Sequence, residues 1–223
     1  MTLSIAARCS QSRMLGMAIA SSSPAVAARC AHARAGVGVV ATQNITDPAL
    51  GPQILERLSR GVEATRALCD ALGATPFASY RQLVVLAPQG APAVHSGDKA
   101  LGTVATALGS DCAAAGNLLD NDGVPAAMVA GFEAATGHFG YRLLRALRAG
   151  AARGGEAGPM HSAALLVVRE VNWPIIDLRI DWHDEPVNAL GTLWNLYEPQ
   201  IEDYVRRALD PAAAPTFGVP GDL

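Results

Sequence analysis

The chain has 223 residues, half of them hydrophobic and 17% charged, with 17 basic against 20 acidic side chains. It is long enough to bury a substantial core as one domain, and its balance suits a globular protein. Without a basic stripe or an aromatic platform among the arginines, nucleic acid is not an expected partner, and no stretch is long enough to cross a membrane as a helix.

The first element is a strand. Along Thr2 to Arg8 the apolar Leu3, Ile5 and Ala7 alternate with Thr2, Ser4 and Ala6, the period of two of a strand with a face against a core. Thr2 and Ser4 therefore point the same way. After a turn at CSQSR, MLGMAIASSS reads as a second strand and RAGVGVVATQN as a third. Arg8 and Arg13 ahead of the apolar Met14 to Ala20 imitate a signal peptide, but the run is at the short limit and a strand explains it as well. Strands with small residues on both faces predict a sheet covered on both sides. Asp47-Pro48 predicts a helix start, with Asp47 as N-cap, and helical spacing follows through Leu58, Leu68 and Leu72, interrupted at Gly61.

YRQLVVLAPQGAPAVHSGD predicts a hairpin. CAAAGN is a short strand, VPAAMVAGFEAAT and GYRLLRALRAGAARGGEAG carry helical spacing, and SAALLVVREV and IIDLRID are two more strands. From Pro186 a final helix carries Leu190, Trp194, Tyr197, Ile201 and Tyr204 on one stripe. Such segregated runs imply an antiparallel α+β fold rather than βαβ units. Residues 1–210 form one expected domain, and 211–223 a Pro/Ala-rich, non-helical tail.

Four cysteines, Cys9, Cys30, Cys69 and Cys112, lack a CxxC pair and read as free, mostly buried thiols in a reducing compartment such as the cytoplasm. Lys99 is the sole lysine, in a Gly/Ala-rich loop. GVGVVA at Gly36 to Ala41 matches a dinucleotide fingerprint, but its valines make it the strand itself; its glycines instead let a helix approach the sheet. The histidines have no HxH or HExxH spacing, and Asp181, His183 and Asp184 read as a helix N-cap region rather than a metal site. His161 beside Ser162 is a pocket candidate, and Arg142, Arg145 and Arg148 form a solvated helical row.

The chain resembles the bacterial family called domain of unknown function 1028, itself similar to the N-terminal nucleophile hydrolases. TLSIAAR at Thr2 to Arg8, GMAIAS at Gly16 to Ser21, RAGVGVVATQ at Arg34 to Gln43, AGNLL at Ala115 to Leu119, SAALLVV at Ser162 to Val168 and DLRIDWHDEPV at Asp177 to Val187 carry the resemblance. It implies an αββα sandwich, two antiparallel sheets between helix layers, and cleavage of an amide bond by the first mature residue. With Met1 removed, Thr2 would be the nucleophile and its α-amino group the base. An α-amine with a pKa near ~8 is partly neutral at working pH and suits that task. If Met1 stays, Ser4 is the fallback hydroxyl.

In those relatives backbone donors for an oxyanion lie at the end of the third strand, here Thr42, Gln43 and Asn44, with Gly116-Asn117 as a second polar corner. Many family members carry a lysine where this chain has Ser22, so Arg34 or Arg29 would have to supply positive charge, electrostatically only. The expectation is a cytoplasmic amidohydrolase acting on a small molecule without metal or cofactor, as a homo-oligomer. The alternative is a catalytically silent metabolite binder or scaffold. Thr2, Ser4 and Arg34 are the catalytic candidates. Ser22, Gln43, Asn44, Gly116, Asn117 and His161 are the substrate-binding candidates.

Overall fold

A computed structural model describes residues 1–216. Among the described residues ten strands occur in chain order: β1 Thr2–Cys9, β2 Met14–Ser21, β3 Ala31–Arg34, β4 Gly38–Asn44, β5 Arg81–Leu86, β6 Ala93–Ser96, β7 Thr103–Leu108, β8 Cys112–Leu119, β9 Ser162–Val168 and β10 Ile176–Ile180. The helices are α1 Ala27–Cys30, α2 Leu50–Ser59, α3 Ala64–Gly73, α4 Val124–Ala134, α5 Phe139–Ala152, α6 Pro186–Tyr197 and α7 Ile201–Leu209. The strands form a six-stranded sheet, β10-β9-β2-β1-β8-β7, and a four-stranded sheet, β3-β4-β5-β6, with antiparallel neighbours throughout. This is the mixed α+β arrangement that the segregated runs predict.

The alternation in β1 sorts its side chains into different cores. Leu3, Ile5 and Ala7 pack with Met128 and Phe132 of α4, Leu143 and Leu147 of α5 and Trp194 of α6. Ala6 instead joins Met17 and Ile19 of the same sheet and Val39, Ala41, Val84 and Leu86 of the other. Val40, Leu83 and Val85 turn away from that cluster towards Ile54 and Leu58 of α2 and Leu68 of α3. Both faces of the central strands are thus buried, which is why β2 and β9 read as continuous apolar runs.

Several boundaries differ from the sequence reading. The third strand is a hairpin, because Gly36, at a φ of 69°, turns β3 back onto β4. Gly38 lies under Leu58 of α2, where a Cβ would approach the Leu58 side chain to 2.7 Å; the glycine serves helix packing, not a nucleotide. Helix α2 starts at Leu50, two residues late, since the Asp47 carboxylate accepts from the Ala49 N–H at 3.1 Å and holds a turn ahead of the helix. Strand β7 escapes the pattern because it lies at an edge with a half-exposed run of threonines and alanines. The final helix breaks at Glu198–Gln200 into α6 and α7, with Pro199 inside the break; Trp194 is fully buried, while Tyr197 and Tyr204 stack at 5.7 Å.

The arginine row is only partly solvated. Arg145 is exposed, but Arg142 lies 4.2 Å over the Phe132 ring and Arg148 packs on Gly191. Within the expected tail, Pro211–Ala213 forms one 3-10 turn, and 217–223 lies outside the described residues. The four cysteines are free; Cys30 and Cys112 are buried and Cys69 is exposed. Among the described residues no helix is long and apolar enough to cross a membrane.

Candidate active site at the start of strand β1

Strand register assembles a polar cluster around the N-terminus. Thr2 pairs with Asn117 on β8, and Leu3 pairs with Ala20 on β2, so Ser21 ends β2 beside the first peptide of the chain. The Ser21 hydroxyl donates to the Met1 carbonyl at 2.6 Å, and the Thr2 hydroxyl donates to the same oxygen. Thr2, Ser4, Ser21, Gln43, Gln82, Asn117 and Ser162 are all buried. In a strand pair, directly opposed side chains share a face, so Thr2 and Asn117 look the same way as Ser4.

From Ser4 a chain of hydrogen bonds crosses between the sheets. Ser4 donates to Gln43 Oε1 at 2.8 Å, Gln43 Nε2 to Gln82 Oε1 at 2.7 Å, and Gln82 Nε2 to Ser96 Oγ and the Gly116 carbonyl, both at 2.9 Å. Asn117 Nδ2 also donates to Gln82 Oε1, at 3.0 Å, which leaves Asn117 Oδ1 buried without a partner. The network satisfies polar groups that burial would otherwise penalise. The acceptor of Ser4 is an amide oxygen, which is no general base.

A second wall comes from the loop after α5. Glu156 bridges Leu119 at the end of β8, with the Asp120 N–H donating to the Gly155 carbonyl at 3.1 Å and the Ala157 N–H to the Leu118 carbonyl at 2.9 Å. The carboxylate reaches the end of β2, where Oε2 accepts the Ser22 N–H at 2.9 Å. Its Oε1 is buried without a partner. Burial pushes the carboxyl up to about 7, against the opposing pull of the N-terminal α-amino charge and the Ser22 hydrogen bonds. Ser162, paired with Ser21, fastens the following turn by donating to the Ser23 carbonyl at 2.6 Å and accepting the Val26 N–H at 3.3 Å.

The structure thus brings together Thr2, Ser4, Ser22, Gln43, Gly116 and Asn117. Asn44 sits at the same end of β4, at a φ of 73° that asparagine tolerates better than most residues. Its side chain ties down neighbouring loops, donating to the Tyr80 carbonyl at 2.6 Å and accepting the Leu101 N–H at 3.1 Å. Thr42 is likewise engaged, with the Asp47 carbonyl at 3.1 Å. The His161 N–H donates to the Ser21 carbonyl, and the imidazole, 21% exposed, stacks on Trp182 at 4.3 Å with its buried Nδ1 3.9 Å from Asp184.

Arg34 is not brought to Thr2. It pairs with Gly38 at the other end of β4, five residues from Gln43 or about 16 Å along the strand, and its guanidinium faces Glu56 at 3.4 Å. Arg29 donates to the carbonyls of its own turn, Pro24 and Ala25. Lys99 is exposed beside the Tyr80 ring. Asp181 pairs with Arg179, and the group that receives the Glu185 N–H at the start of α6 is His183 Nδ1, at 2.9 Å, rather than Asp184. Sequence reasoning missed Gln82, hidden in a strand that otherwise reads as apolar, and Glu156, whose signal was an isolated acid in the Gly-rich run ARGGEAG.

A family model described as a family of unknown function, DUF1028, matches residues 2–190. The chain belongs to DUF1028. A solved structure of a DUF1028 protein from Silicibacter pomeroyi is 28% identical, with 92% of this chain and 90% of that one covered and a TM-score of 0.86. Anbu, the ancestral β-subunit from Yersinia bercovieri, is 14% identical over 92% of this chain and 97% of its own, with a TM-score of 0.38. No curated protein matches. DUF1028 membership therefore covers β1 through the first turns of α6, including each residue of the cluster around Thr2.

Proposed function

We propose that this DUF1028 chain is an αββα sandwich of the N-terminal nucleophile kind, and an amidohydrolase that cleaves a C–N bond in a small cytoplasmic metabolite. The observation that carries the reading is the position of Thr2. It opens a strand in the middle of the six-stranded sheet, with its hydroxyl and its peptide nitrogen in a buried polar cluster. The three separate apolar clusters, one shared by the two sheets and one on each outer side, support the layering.

Once Met1 is removed, the Thr2 hydroxyl and its neutral α-amino group stand on one residue. The hydroxyl oxygen attacks the substrate carbonyl carbon while its proton passes to the α-amine. Collapse of the tetrahedral intermediate breaks the C–N bond, the proton leaves with the departing amine, and water then hydrolyses the Thr2 ester. Asn117, opposite Thr2 and on its face of the sheet, borders the attack site, with its Nδ2 committed to Gln82. Gln43, Gln82 and Ser4 hold the Gly116-Asn117 corner in place.

The test has two stages. The intact mass of the untagged protein should lack one methionine, and a β-lactone acylating probe should then add to the N-terminal peptide and fail to add in Thr2→Ala. A processed chain that takes no adduct at Thr2 overturns the hydrolase reading in favour of a catalytically silent binder.

A further inference from the structure

The feature that the proposed mechanism leaves unused is Glu156. Its backbone is clamped at the end of β8 by a bridge and two flanking hydrogen bonds, and its carboxylate is tied to the end of β2 by the Ser22 N–H. The residue is 5% exposed, yet one carboxyl oxygen has no donor. A buried acid left half-satisfied is costly and asks for a cation or a donor.

A nitrogen that processing would turn into such a donor is one bond from the Met1 carbonyl. Two consecutive residues hold the two groups in question: Ser21 grips the Met1 carbonyl through its hydroxyl, and Ser22 grips Glu156 through its N–H. The carbon of that carbonyl is bonded to the Thr2 nitrogen. When Met1 leaves, the Ser21 and Thr2 hydroxyls lose their shared acceptor, while Ser21 still accepts the Ser23 N–H at 3.1 Å, and the Thr2 nitrogen becomes an amine with up to three donors. The sole lysine, Lys99, is engaged elsewhere, on Tyr80.

We propose that Glu156 is the positioning residue for the catalytic α-amino group: with Ser21 it holds the Thr2 nitrogen and sets the direction of its lone pair. This rests on the proposed function. Glu156 acts through the amine and does not touch the reacting carbonyl. In the unprocessed chain the charged group that acts on it is the α-amino group of Met1, one residue before the Thr2 nitrogen, and Ser21, Ser22 and Leu119 beside it are neutral.

The test uses full-length protein made as an N-terminal fusion and cleaved to leave Thr2 first, so that native processing does not matter. Limiting acetic anhydride, applied across a pH series and followed by mass spectrometry of the N-terminal peptide, reads the titration midpoint of the amine. A carboxylate beside an ammonium raises that midpoint, so Glu156→Gln should lower it by about one pH unit, a tenfold change in proton affinity, and Glu156→Asp should hold it nearer the wild type. An identical midpoint in wild type and Glu156→Gln overturns the proposal. If Glu156→Gln does not fold, a crystal structure of the cleaved wild-type chain decides: the Thr2 nitrogen within about 3.2 Å of a Glu156 oxygen supports the assignment, and a separation beyond hydrogen-bond reach overturns it. A shifted midpoint without a β-lactone adduct defeats the nucleophile reading alone; an adduct with an unshifted midpoint defeats the Glu156 assignment alone.

Discussion

Ser4 on β1 donates its hydroxyl proton to Gln43 on β4 across 2.8 Å, and this bond ties the six-stranded sheet to the four-stranded one directly beneath the N-terminal cluster. Both residues are fully buried. Ser4→Ala leaves Gln43 Oε1 without a donor in a site water does not reach, a loss of about 1–3 kcal/mol. In a chain of this size that lowers the melting temperature by roughly 2–4 °C per kcal/mol. Calorimetry of the two proteins checks it; an unchanged midpoint would mean that the bond is not a structural tie.

Stability of the Met1-bearing chain should fall as pH rises through the weakly acidic range. Unfolded, the Glu156 carboxyl ionises near its ordinary 4.5, whereas in the folded chain burial holds the proton to about 7. Between those values the folded state binds more protons, so stability declines with pH; below them there is no effect, and above them the loss is constant, at most roughly 3 kcal/mol. Denaturant melts in a pH series should show Glu156→Gln without this decline, and a slope equal to that of the wild type would count against the buried carboxyl.

Arg34→Ala should be nearly silent. The Arg34–Glu56 pair is about half exposed on both sides, and such pairs contribute less than about 1 kcal/mol. Its distance from Thr2 along β4 predicts unchanged β-lactone labelling. Lost labelling in a folded Arg34→Ala protein would restore the arginine to the site.

Thiol reactivity should follow burial. Iodoacetamide at mildly alkaline pH is expected to modify the exposed Cys69 and spare Cys112, whose thiol burial pushes up to about 12, and Cys30, which burial also raises. Peptide mapping after brief alkylation reads the order. Early modification of Cys112 in folded protein would contradict its place in the core.

The strands around the site were legible because their pattern is local. Alternation along Thr2 to Arg8, the apolar run from Leu83 to Leu86 and the one from Ala163 to Val168 each follow from a side-chain period of two and burial on one or both faces. Motif resemblance added the family and pointed to Thr2. Edge strands such as β7 were less visible, because a half-exposed strand has no strong apolar signal.

Composition and periodicity by themselves determined the α+β class, the antiparallel strands and the common face of Thr2 and Ser4, since each depends on neighbours in the chain. Register decided the rest. Placing Glu156 beside Ser22 requires an α5 loop to return to β8, and separating Arg34 from Thr2 requires β4 to run the length of the sheet. Residues 134 positions apart meet there through hydrogen bonds that no local spacing encodes, so the acid at the N-terminus became visible only in three dimensions.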